Sequence, residues 1–256
     1  MKLGVNLLKV LISCILNFLV RILPRNPDIW LYGGFSDRFI DNSKYFFISV
    51  NETQKDIRHI WLTNSTQDES FLKKKGFECY QRKSIKGIYF ALRAKVYIFT
   101  CYPSDVASFS FSGGAYLFNL WHGLPLKKIE YDIKSGFLKK QFYPQGVAEF
   151  LDTYSNQPPF FRNSSSVLCP LISFIDIFKS AFKLVESNIC VANYPRTTPF
   201  FWDEHSLMAH IEKYEPLEMK FLIDRCIQYK KIWIYMPTWR DANPNFINEA
   251  IPDFIK

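Results

Sequence analysis

The chain has 256 residues, 48% hydrophobic and 22% charged, a balance that fits one large globular domain or two modest ones and excludes a disordered chain. Aromatic residues are abundant (25 Phe, 14 Tyr, 6 Trp) and glycine is scarce at 10, which rules out collagen-like, linker-like and low-complexity sequences. The net charge of +8 is uneven: residues 1–140 carry 21 Lys and Arg against 11 Asp and Glu, while residues 141–256 carry 11 against 13. A basic N-terminal half suits an anionic partner, such as a phosphate-rich substrate, a lipid surface or nucleic acid, and equally a solvated basic face.

In chain order, the first predicted element is residues 3–23, LGVNLLKVLISCILNFLVRIL. No small-residue cleavage site follows it, so a signal peptide fits poorly. Its length is barely enough for a membrane span. Lys2, Asn6, Lys9, Ser13, Asn17 and Arg21 recur at helical spacing and draw one polar stripe beside a broad apolar face. That pattern suits a helix lying in the membrane interface; a span, or a helix packed on the protein itself, are the alternatives. Pro24 and Pro27 end the helix.

Beyond Pro27 short strand-like and helix-like stretches alternate. The strand candidates are Ile29–Tyr32, Ile57–Leu62, Phe77–Tyr80, Val96–Thr100, Tyr116–Leu120, Leu151–Tyr154, Ile189–Val191 and Ile232–Met236. Helices are expected over 42–51 with Asp41 as N-cap, over the stretch from Ser65 or Thr66 to Lys75 with Gly76 after it, and near 84–94, 172–186, 204–213 and 216–230. The alternation predicts an α/β fold with a largely parallel sheet. Ligands of such sheets lie beyond the carboxyl ends of the strands. The six cysteines form no C-x-x-C pair and read as reduced thiols of a cytosolic compartment.

Three post-strand stretches carry candidate chemistry. Trp121-His122-Gly123-Leu124-Pro125-Leu126-Lys127-Lys128 places a histidine at a strand end, a glycine suited to a sharp turn, and two lysines able to hold phosphate. The bland alternative is a hydrogen-bonded loop histidine. Asn193-Tyr194-Pro195-Arg196 presents an arginine on a stiffened loop, as a phosphate grip or a surface turn. Pro237-Thr238-Trp239-Arg240-Asp241 repeats the pattern, with a local ion pair as its plain reading. His205 and His210 are five apart and do not match a helical zinc site; no metal-ligand cluster is visible and no cofactor is expected. The basic run from Lys73 to Lys95 lacks any nucleic-acid motif, so no nucleic-acid partner is expected.

Together the stretch Trp121 to Lys127, Tyr131-Asp132, Tyr194-Pro195-Arg196 and Pro237 to Asp241, with the earlier Gly33-Gly34-Phe35 and Asp41-Asn42-Ser43-Lys44-Tyr45, resemble the CDP-glycerol glycerophosphotransferases, the teichoic-acid polymerase and primase family, over about residues 28–241. The resemblance implies a Rossmann-like N-terminal domain of a GT-B-like architecture. It implies attachment to the cytoplasmic face of the cell membrane, and transfer of glycerol phosphate or a related polyol phosphate from a CDP-polyol donor to an anionic polymer acceptor. By position it makes His122 the catalytic residue and Lys127, Lys128, Arg196 and Arg240 the candidates for holding phosphate. The family's later His-Pro and Asp-Tyr-Ser-Ser-type segments have no counterpart here. The expected layout is therefore a membrane-associating helix over 1–25, an acceptor-side domain over 28–215, and over 216–256 a connecting helix with the start of a donor domain truncated after its first strand. The alternative is a non-catalytic remnant that binds anionic polymer or lipid.

Overall fold

The computed structural model describes residues 2–156 and 163–234. It divides into two units, Met1–Trp202 and Asp203–Lys256. The first contains a seven-stranded sheet: β1 (Asn26–Tyr32), β2 (Arg58–Thr63), β3 (Cys79–Gln81), β4 (Ala94–Phe99), β5 (Tyr116–Asn119), β6 (Ser166–Cys169) and β7 (Ile189–Val191). The strands run in the order β3-β2-β1-β4-β5-β6-β7, every pair parallel. The helices are α1 (Lys2–Val20), α2 (Asp41–Thr53), α3 (Thr66–Lys74), α4 (Ile85–Arg93), the single turn α5 (Lys139–Phe142), α6 (Gly146–Asn156) and α7 (Ile175–Phe182). The second unit contains α8 (Glu204–Tyr214), capped by Asp203, and α9 (Leu217–Cys226). The first unit is an α/β, Rossmann-like fold.

Local chemistry explains most boundaries. Ser65 caps α3 by accepting from Asp68 N, and Gly76 leaves it at φ +81°. Ser84 caps α4 through Gly87 N. The central strands are buried on both faces, as parallel strands must be. One face packs Leu31, Ile60, Tyr97 and Leu117 against Phe90 and Val106. The other is aromatic: Phe39 meets Trp61 at 4.7 Å between centroids, and Tyr32 meets Phe47 at 5.0 Å. Such ring pairs add about 0.5–1.5 kcal/mol each beyond the area they bury.

Three expectations change. Residues 151–154 are helical, not a strand: Val147, Phe150, Leu151 and Tyr154 recur at helical spacing within α6, and Leu151 is buried. β6 was hidden because Ser166–Cys169 is only four residues, all buried, with no alternation to reveal it. Residues 231–234 carry no regular structure, and the remainder of the candidate strand Ile232–Met236 lies outside the described residues.

The amides of the polar stripe of α1 face inward, Ser13 is half-buried, and Lys9 and Arg21 stay exposed. Asn17 is 2% exposed; its Nδ2 donates to Phe109 O at 2.6 Å and Ser112 Oγ at 3.2 Å. Asn6 Nδ2 donates to Asp152 Oδ1 at 3.3 Å on α6. Gly113 permits the docking, since a Cβ there would stand 2.0 Å from Asn17 O. Arg25 then ties the end of the segment to Gly113 O, Ala94 O and Phe111 O. Asn6 and Asn17, with the buried Val10 and Val20, thus attach the helix to the body, while Leu8, Ile15, Phe18 and Leu19 are all at least half exposed.

Candidate active site at the carboxyl edge of the sheet

Because every strand is parallel, the segments that follow β1, β4, β5 and β7 emerge on one edge. The strand order reverses between β1 and β4, and the backbones there touch: a Cβ on Gly33 would lie 2.0 Å from Asp105 O. Three groups from different segments converge beside this point. Asp41 opens α2 after β1, His122 follows β5, and Arg196 follows β7.

The turn that presents His122 falls on Trp121, at φ +51°, and not on Gly123. Trp121 is held there by Asn119 Oδ1, which accepts from its N at 2.8 Å, and by Phe182, whose ring meets the indole at 4.9 Å. The His122 imidazole lies 4.1 Å from the Trp121 ring at 32°. Its outer surface is open, and among the described residues neither ring nitrogen has a hydrogen-bond partner. His59 shows the contrast: its Nδ1 meets Tyr32 OH at 2.8 Å and its Nε2 meets Gln54 O at 3.1 Å, as a structural histidine requires. The His122 imidazole titrates below the usual histidine value. Partial burial is the larger cause, the Arg196 cation adds to it, and the Asp41 carboxylate opposes it. The ring is therefore neutral at pH 7 and able to accept a proton.

Arg196 Nη1 pairs with Asp41 Oδ1 at 2.9 Å, and a Cβ on Gly123 would lie 3.7 Å from Nη2. Tyr194 OH donates to Gly123 O at 2.9 Å, joining the segment after β7 to the histidine loop. Sequence reasoning missed Asn42 as part of this site and gave Asp41 only a capping role. The N-cap position is Ile40, with Asp41 as the first helical residue at φ +62°. Asn42 is fully buried; its Nδ2 donates to Trp121 O at 2.7 Å and its Oδ1 accepts from Arg196 N at 3.2 Å. The available signals were adjacency to a helix start and the match of Asp41 to Tyr45 to the family pattern.

A second missed group is Glu130, at φ +46°, whose carboxylate accepts from Tyr102 OH at 3.3 Å. Burial pushes its carboxyl up to about 7. Nearby, Asp105 Oδ2 accepts from Cys101 N and Tyr102 N at 3.1 and 3.0 Å. Lys127 and Lys128 stand apart from His122 and Arg196 as far as hydrogen bonds and ion pairs go. They are exposed and line an open groove of about 370 Å³ with Pro125, Leu126, Ile129, Asp132, Lys134 and Ile177. Arg240 lies outside the described residues. Among the described residues no group of three or more His, Cys, Asp or Glu side chains is placed to hold a metal ion.

An imidazole with no partner among the described residues, beside an anchored guanidinium at the carboxyl edge of a parallel sheet, is an arrangement able to accept a proton next to a cation that can hold an anion. The sequence model of the CDP-Glycerol:Poly(glycerophosphate) glycerophosphotransferase family matches residues 15–254, and the chain belongs to that family. No curated protein matches it in sequence. Among solved structures it is similar to the wall teichoic acid polymerase TagF. One TagF variant soaked with CDPG aligns at a TM-score of 0.59 and 15% identity, covering 98% of this chain and 63% of that one. An unsubstituted TagF structure aligns at 0.55 and 16%, covering 94% and 57%. The likeness is one of fold, and the chain spans less than two thirds of the TagF chains.

Proposed function

We propose that this chain carries the proton-accepting half of a membrane-associated glycerophosphotransferase. An acceptor hydroxyl attacks the β-phosphorus of CDP-glycerol or a related CDP-polyol. The bond from that phosphorus to the bridging oxygen breaks, CMP leaves, and His122 takes the hydroxyl proton. The acceptor is an anionic polyol-phosphate polymer of the teichoic-acid or capsule type. Lys127, Lys128, Arg196 and Arg240 neutralise phosphoryl charge, which in such transfers supplies much of the rate. The observation that carries the reading is the imidazole at the carboxyl edge with both nitrogens unbonded among the described residues, where a structural histidine such as His59 is saturated.

The protein sits on the cytoplasmic face of the membrane in this reading. α1 supports it: Asn6 and Asn17 hold the helix from beneath while Leu8, Ile15 and Phe18 face outward. α6, packed beside α1, adds the exposed Val147, and the preceding segment adds Phe137 with Lys139 and Lys140. An outward apolar face with adjacent cations suits an in-plane attachment to anionic lipid.

The test is transfer of labelled glycerol phosphate from CDP-glycerol to a poly(glycerol phosphate) primer by membranes carrying the protein. His122→Gln keeps hydrogen bonding but cannot accept the proton, and lowers transfer by roughly 10²–10⁴. Near-parental transfer by a folded Gln variant, or no transfer by the folded parent, overturns the reading.

A further inference from the structure

We propose that Asp41 is the positioning residue of this site: its carboxylate fixes the Arg196 guanidinium and places a negative charge beside the loop that bears His122. The inference rests on the reading of His122 as the proton acceptor and extends it to a residue with no assigned role. Three observations support it. Asp41 holds φ +62°, a left-handed conformation that is strained for a non-glycine residue, so its placement is maintained by its surroundings. Its Oδ1 accepts from Asn42 N at 2.7 Å and pairs with Arg196 Nη1 at 2.9 Å. The adjoining Asn42 amide bonds both the Trp121 carbonyl and the Arg196 N–H, so the loops bearing His122 and Arg196 are tied to the residue next to Asp41.

The physical consequence is preorganisation. A free arginine samples many rotamers, and holding it in one costs entropy. Pairing through Nη1 fixes the fork and leaves the guanidinium side chain 38% exposed, available to an incoming phosphoryl group. The charged groups acting on the His122 ring are Asp41, from α2, and Arg196, from the segment after β7. They act in opposite senses, so the carboxylate keeps the imidazole basic enough to take a proton while the arginine stays beside it.

The experiment is an NMR pH titration of the 256-residue chain, whose four histidines are few enough to resolve, with His122 assigned from His122→Gln. Asp41→Asn retains shape and tolerance of the left-handed backbone but removes the charge. The His122 midpoint is expected to fall by roughly half a unit or more. Asp41→Gly removes the charge while fitting the backbone without strain, and gives the same fall. Arg196→Gln moves the midpoint upward. If Asp41 served only to hold the loops, its loss would let water reach the ring, and the midpoint would rise towards the ordinary histidine value in the Asp41 variants. A rise or no change in Asp41→Asn or Asp41→Gly overturns the proposal, as does a fall or no change in Arg196→Gln. Unfolding of both Asp41 variants also overturns it, by making the residue one of stability alone. The titration contains no substrate, so it can fail while the transfer assay succeeds, and the reverse, which separates this inference from the functional reading beneath it.

Discussion

Replacing Asn42 with Ala removes the clamp between the histidine and arginine loops. The side chain is fully buried and bonds Trp121 O at 2.7 Å, Leu120 O at 3.4 Å and Arg196 N at 3.2 Å. Its loss leaves a buried carbonyl and a partly buried N–H without their partner. A buried polar group left unsatisfied costs about 1–3 kcal/mol. The Arg196 N–H can recover some of that from water, so the expected loss is about 2–4 kcal/mol. Urea unfolding followed by tryptophan fluorescence measures it. Asn51→Ala is the control, because Asn51 Nδ2 only back-bonds Phe47 O within α2, and its loss should be about 0.5–1 kcal/mol. Asn42→Asp keeps the size but turns donors into acceptors facing two carbonyls, and should be at least as damaging as Ala. Equal, small losses for Asn42→Ala and Asn51→Ala would refute the view that the site is clamped through this amide.

Glu130 gives a pH-dependent prediction. Its folded carboxyl titrates at about 7, above the unfolded value near 4.3. Between these values the folded state holds the proton that the unfolded state has lost, so stability falls as pH rises through this window. Glu130→Gln should match the parent at about pH 4 and below and exceed it by up to ~3 kcal/mol at pH 8; a constant difference across pH would refute the burial effect. For the membrane face, Leu8→Gln, Ile15→Gln and Phe18→Gln together should reduce sedimentation with anionic vesicles at least ~10-fold, since each outward apolar side chain contributes on the order of 1 kcal/mol. These substitutions leave Asn6 and Asn17 in place, whereas deleting residues 1–25 would strip a docked helix from Phe109 and Ser112. Unchanged sedimentation by the folded triple variant would exclude α1 as the attachment.

The sequence by itself determined the parts whose causes are local. Ser65 and Gly76 bound a helix because a cap and a left-handed exit are properties of a few neighbouring residues. Strand and helix periods set the α/β alternation, and parallel strands then require that segments after the strands share one edge, which is why His122 and Arg196 could be singled out. Only the tertiary structure decided what faces what. Asn17 of the α1 stripe is equally polar on paper whether it meets headgroups or the carbonyl of Phe109; the contact with Phe109, 92 residues away, turned that amide inward. Asp41 looks like a cap in sequence and becomes the counterion of Arg196, 155 residues on. Glu130 sits in a run of polar residues and is protonated near neutrality because the folded chain buries it beside Tyr102. Burial and pairing between distant segments depend on where the whole chain places each group, and no window of neighbouring residues contains that information.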